Sequence, residues 1–170
     1  MDAIELLKRQ HRFVEDLLSQ IEQEGEDEEE KLELVQELAD NIAAHTAIEE
    51  QIFYPAVYGD DTRDLLEEAL EEHLALKRLI VDLVTIDSSD AEFEAKVEVL
   101  KERVAHHVEE EERELFPKVT AELSSSYLVS MGTEMEALFD EMMGDDPSAH
   151  ISEEIERAAA LEQRRSPLRA

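Results

Sequence analysis

Residues 45–55 read HTAIEEQIFYP, and residues 107–117 read HVEEEERELFP. His45 and His107, Glu49 and Glu111, and Pro55 and Pro117 are all separated by the same 62 positions. That offset also carries His11 onto His73, and the apolar positions around the pair repeat with it: Ile4 with Leu66, Val14 with Leu76, Leu18 with Ile80, Ile21 with Leu83. A match of type and register over this span is the mark of a duplicated unit, here one helical hairpin long.

Apolar residues return every three to four positions along nearly the whole chain, the period of an amphipathic helix. The punctuation predicts four long helices. The first runs from about Asp2 to Glu24, ending near Gly25. A second runs from about Glu29 to Tyr58 and is bent or ended by Pro55. Thr62 caps a third that reaches about Ile86, and Ser88-Ser89-Asp90 turns the chain into a fourth that continues through Pro117 to about Leu123. Short loops between long helices predict antiparallel neighbours, so the fold class is all-α: an up-down-up-down four-helix bundle built from two repeated hairpins.

Residues 1–123 form the bundle in this reading, and residues 124–170 an appendage of additional C-terminal helices and tail. Ser124-Ser125-Ser126 breaks the pattern. Leu128, Met131, Met135, Leu138 and Met142 then form one apolar stripe, suited to packing on the bundle or on a second copy in a homodimer. Gly144-Asp145-Asp146-Pro147 breaks it again before a short helical pattern from Ser148 to about Arg164, and the tail beyond is expected to fray.

Within the bundle, the repeated polar residues fall on buried lines. Leu38, Ile42, His45, Glu49, Ile52 and Ala56 step along one seam; Ile4, Leu7, His11, Val14, Leu18 and Ile21 step along another. Leu100, Val104, His107 and Glu111 follow the same rule until Glu114 departs from it, and His73 lies between Leu66, Ala69, Leu76 and Ile80. Four histidines and two glutamates therefore sit where core is expected. A buried carboxylate without a partner costs several kcal/mol, and no Lys or Arg shares these seams near them. A metal answers the charge. Residues four apart on a helix differ by only about 40° around the axis and lie about 6 Å apart along it, so a His and a Glu at that spacing converge on one ion or on two neighbouring ions. Imidazole and carboxylate without sulfur suit iron, manganese or zinc. Two such hairpins brought together predict a dinuclear site bridged by Glu49 and Glu111.

Composition excludes several other classes. The chain has no Cys, which removes disulfides, zinc fingers, Cys-ligated clusters and thiol catalysis. A formal charge of −30 repels phosphate backbones and anionic lipid heads, so neither nucleic acid nor membrane is an expected partner. The opening MDAIELLKRQ has the pattern of neither a signal nor a transit peptide, which predicts a cytoplasmic location. None of the six histidines has an acid three residues before it, as a ferritin-like site requires, and His-Glu-x-x-His is absent.

His11, His45-x-x-x-Glu49 with Pro55, His73, and His107-x-x-x-Glu111 with Pro117 together resemble the hemerythrin family, the HHE cation-binding domain, over about residues 1–123. The resemblance implies a non-haem di-iron centre, oxo- or hydroxo-bridged, with Glu49 and Glu111 as bridging carboxylates. His11 and His45 would serve one iron, His73 and His107 the other. One position departs from the family pattern. Oxygen carriers have a fifth histidine one turn after the third-helix histidine, and Lys77 stands there here. That change argues against reversible dioxygen carriage and leaves room for peroxide, which points to catalase-like disproportionation of hydrogen peroxide. The alternative is binding or sensing of oxygen, nitric oxide or iron without turnover. Glu15 and His106 are outside candidates for ligands; Tyr54 is expected to pack at the core or rim and would reach a metal only if Pro55 distorts the helix; His150 is expected at the surface.

Overall fold

The computed structural model describes residues 1–23, 28–87 and 90–165. Helix α1 spans Ala3–Gln23 and α2 spans Glu28–Ile48, the latter running on through a π-helical turn, Glu49–Phe53, into α3, Tyr54–Val57. Helix α4 spans Arg63–Thr85. Helix α5, Ala91–Glu110, passes through a second π-helical turn, Glu111–Leu115, into α6, Phe116–Glu122. Then come α7, Ser125–Met143, a 3₁₀ turn at Pro147–His150, and α8, Ile151–Arg165. There is no strand among the described residues. The expected helix end at Glu24-Gly25, the turn residues Ser88-Ser89 and the tail from Ser166 lie outside them.

Local chemistry starts these helices. Glu5 N–H donates to Asp2 Oδ1 at 2.9 Å and Asp2 N–H to Glu5 Oε2 at 3.2 Å, a reciprocal cap that satisfies two N-terminal donors of α1. Asp90 accepts from Glu92 N–H at 2.9 Å and caps α5, as expected. Thr62 does not cap α4 through its side chain. Its hydroxyl instead donates to Val57 O at 2.7 Å and accepts from Gly59 N–H at 2.9 Å, tying the turn that joins the hairpins.

Two apolar clusters fill the bundle, one toward each end. Along α1 the order is Ala3, Leu6 and Leu7, then His11, then Val14, Leu17, Leu18 and Ile21. Along α2 it is reversed: Val35 to Ala43, then His45, then Ile48 and Phe53. Helix α4 reads as α1 does, and α5 as α2 does. That alternation is the up-down-up-down arrangement, with a polar layer at mid-height. Phe53, Phe93 and Phe116 are fully buried, each contributing roughly 1.5–3 kcal/mol from area removed from water.

The apolar stripe of α7 packs on the bundle. Leu128, Met131 and Met135 join the cluster that holds Leu6, Ile48 and Phe53. Gly132 allows the approach: a Cβ there would lie 2.7 Å from the Met1 carbonyl oxygen. Helix α8 adds Ile151 to the other cluster. No helix is long and apolar enough to cross a membrane among the described residues.

Candidate metal centre

The two π-turns set the geometry of the centre. Tyr54 N–H bonds to Glu49 O, and Phe116 N–H to Glu111 O, each reaching back five residues rather than four. Pro55 and Pro117 follow directly and lack the N–H that would continue an α-helical ladder. Each wider turn admits one extra residue, so the buried line shifts by one after each glutamate. Ile52 and Ala56, expected on the seam, are only half-buried, while Phe53, Tyr54 and Val57 take the core positions. Glu114 is exposed for the same reason, and Leu115, Phe116 and Val119 are buried in its stead.

The polar layer brings together His11, His45, Glu49, His73, His107 and Glu111, none more than 6 % exposed. His11, His45, Glu49 and Glu111 each offer one ligand atom within 4.8 Å of the others, and so do Glu49, His73 and His107. His45 Nε2 and His73 Nε2 lie 3.3 and 3.2 Å from Glu49 Oε2. His11 Nε2 and His107 Nε2 lie 3.3 and 3.7 Å from Glu111 Oε2.

A second set of side chains, unrecognised in the sequence, orients the imidazoles. His11 Nδ1 donates to Glu112 Oε1 at 3.0 Å and His73 Nδ1 to Glu50 Oε1 at 2.9 Å. His45 Nδ1 donates to Gln10 Oε1 and His107 Nδ1 to Glu72 Oε2, both at 2.9 Å. These partners obey the same 62-residue offset, Gln10 with Glu72 and Glu50 with Glu112. Each stands beside a residue already marked by the repeat, and that adjacency was the available signal. Glu112 is further paired with Arg12, and Glu50 with Lys77 at 2.9 Å.

With Nδ1 committed as donor, each Nε2 presents a lone pair to the centre. His11 Nε2, His45 Nε2, both Glu49 oxygens and Glu111 Oε2 are buried without a hydrogen-bond partner. Lone pairs that face lone pairs in a dry core are arranged for a cation. The donor set, imidazole nitrogen and carboxylate oxygen, fits first-row transition ions such as iron.

Electrostatics agree. Burial pushes Glu49 well above the usual carboxylate range and the neighbouring Glu111 charge pushes it further. Burial works against Glu111 as well, but His107 and His11 overcome it and hold this carboxyl well below that range. Burial keeps His45 well below an ordinary imidazole and lowers His73. It opposes protonation of His107 too, yet Glu111 and Glu72 beside that ring outweigh it and raise its pKa.

Tyr54 lies in the core, one of the two places expected for it, and also reaches the centre. The π-turn carries its phenol into the centre, where Oη donates to Glu111 Oε1 at 2.9 Å and lies 3.2 Å from His73 Nε2. Five residues on an α-helix would have pointed it about 140° away from Glu49. Lys77 is buried but directed outward, to Glu50 and, at 2.8 Å, to Glu154 of α8. Glu15 pairs with Arg12 at 2.6 Å and takes no part in the cluster. His106 and His150 are exposed.

An antiparallel four-helix bundle with this layer defines a cation-binding helical protein. The chain belongs to the hemerythrin family: residues 2–119 match the hemerythrin HHE cation binding domain. It is similar to the crystal structure of a hemerythrin HHE cation binding domain-containing protein from Mycobacterium kansasii, with a TM-score of 0.76 and 26 % identity over 85 % of this chain and 88 % of that one. A protein of Nostoc sp. named DNA nickase is 30 % identical over 141 residues, 81 % of this chain; the chain spans only 39 % of that relative's length.

Proposed function

We propose that the chain is a non-haem di-iron protein that disproportionates hydrogen peroxide. His11 and His45 would hold one iron and His73 and His107 the other, with Glu49 and Glu111 shared between them. The observation that carries this reading is the set of buried, unpartnered nitrogen and oxygen atoms turned toward one another. Two irons there would supply the two-electron redox cycle by which one peroxide is reduced to two waters and a second is oxidised to dioxygen.

The surrounding residues determine what reaches the centre. Val14, Ile42, Leu76 and Val104 line an apolar cavity of about 20 Å³ beside His11, His45 and His107, sized for a two-oxygen molecule and too small for an organic substrate. Tyr54 holds a proton at Oη, since burial and the Glu49 charge push its pKa well up. That phenol is a proton source inside the buried centre. Lys77 is engaged with Glu50 and Glu154, so no side chain replaces the fifth histidine of oxygen carriers from that position.

Oxygen evolution after peroxide addition to the iron-loaded chain tests the proposal. A steady trace that collapses in Glu49→Ala supports it; a flat trace from the unaltered chain sinks it. A second reading, binding or sensing of dioxygen or nitric oxide without turnover, has its own support. Glu154, Lys77, Glu50 and His73 form a continuous polar chain from α8 to the centre, a route by which occupancy reaches the surface. Nicking of DNA, in the name of the Nostoc relative, gains no support from a chain of charge −30.

A further inference from the structure

The two hairpins differ in one face. In the first, Leu6, Ala44 and Ile48 are buried, and α7 packs over α1 and α2 there. Moving 62 positions on, the same places hold Glu68, His106 and Glu110 in the second hairpin, and Gln10 is replaced by Glu72. The second face therefore carries acids with one imidazole in place of the apolar residues of the first.

Three of these groups converge. Glu72, His106 and Glu110 each offer one ligand atom within 4.8 Å of the others, and His106 Nε2 lies 3.5 Å from both Glu72 Oε1 and Glu110 Oε1. Glu72 faces both ways, since its other oxygen accepts from His107 Nδ1. A cavity of about 10 Å³, room for roughly one water, is lined by Glu72 and Glu110, by His107 and Glu111 of the inner cluster, and by the apolar Leu65, Ala69 and Leu115. Glu111 is 2 % exposed and its Oε2 has no hydrogen-bond partner. Glu111 of the inner cluster thus lines the same narrow space as Glu72 and Glu110 of the surface cluster.

The geometry points to an outer site, formed by His106, Glu110 and Glu72 Oε1, that captures a divalent transition-metal ion at the surface and passes it to His107 and Glu111 within. This rests on the reading that the inner cluster binds metal. The outer donor set is incomplete on the protein side, which suits a transit site: water completes the shell, and the ion leaves readily. Acidic neighbours at Glu68 and Glu114 raise the local cation concentration.

Cobalt(II) serves as the probe, with calorimetric titration of the metal-free chain and stopped-flow absorption of the bands that cobalt gains on nitrogen and oxygen ligation. The unaltered chain takes up one weak equivalent beyond the tight inner set. The double variant His106→Ala, Glu110→Gln loses that weak equivalent. It also fills the inner set at least about tenfold more slowly while reaching the same final occupancy. Glu102→Gln, which removes an exposed charge from the same helix, changes neither quantity. Survival of the weak equivalent in the double variant overturns the outer site. An unchanged filling rate, or equal slowing by Glu102→Gln, overturns the transfer. An error in the inner-cluster reading shows separately, as tight equivalents that survive in His45→Ala, Glu49→Ala.

Discussion

Tyr54 and Phe116 occupy the same place in the two halves of the bundle and differ by one hydroxyl. Tyr54 stacks on His73 with ring centroids 5.5 Å apart, and Phe116 stacks on His11 at 6.0 Å. Only the first of these rings carries an O–H into the centre, where Glu111 accepts it at 2.9 Å. The duplicated scaffold is therefore chemically one-sided at its middle.

Tyr54→Phe makes the halves alike. The iron content should stay at the level of the unaltered chain, while oxygen evolution from peroxide falls about 10²-fold through loss of a positioned proton donor. The metal-free variant should also lose about 1–3 kcal/mol in urea unfolding, because buried Glu111 loses its donor. A rate equal to that of the unaltered chain would remove the phenol from proton handling.

Metal uptake should release protons. Burial and the neighbouring Glu111 raise the Glu49 carboxyl well above its usual range, and Glu111 and Glu72 raise His107 despite its burial. An incoming cation competes with protons at these two groups, whereas burial lowers His45 and His73 and favours the neutral form that a metal needs. Affinity therefore rises with pH, through the window between the ordinary carboxylate range and the raised values of Glu49 and His107. Calorimetry in buffers of different ionisation enthalpy reads the number released; heats independent of buffer would refute it.

Glu50→Ala removes the acceptor that fixes His73 and leaves Lys77 with Glu154 as its remaining carboxylate. Metal affinity should fall about 10–100-fold, the usual effect of losing an orienting partner. Gln10→Ala should do the same through His45. Competition with a calibrated chelator measures both.

Gly132→Ala tests the docking of α7. The added methyl group meets backbone at 2.7 Å, which no side-chain rotation relieves. A loss of about 1–3 kcal/mol is expected, seen as a lower midpoint in thermal unfolding. An unchanged midpoint would mean that α7 and the start of α1 separate without cost.

The bundle was legible because its signal is additive: the seam repeats over many turns, and the 62-residue offset identifies the hairpin. The six inner residues were legible as a group for the same reason, since burial of a His or Glu on such a seam is conspicuous. The π-turns were not, because periodicity assumes one fixed turn. Their trace was present in the departure of Glu114 from the seam and in the prolines at 55 and 117. Without them, the reach of Tyr54 into the centre hung only on a distortion at Pro55. The orienting acceptors Gln10, Glu50, Glu72 and Glu112 were hidden among many surface acids, and only their adjacency to repeated residues set them apart. The roles of Lys77 and Glu154 depend on where α8 docks, which no local pattern encodes.

The polar layer at mid-height has a consequence for the life of the chain in a cell. It divides the apolar core into an upper and a lower half, and a cation bound there would join them. Binding to the folded form alone stabilises it by mass action, so scarcity of the ion exposes the chain to proteases and abundance shields it. Digestion half-life with and without a chelator reads this directly. The protein's abundance would then follow the supply of its metal with no dedicated regulator.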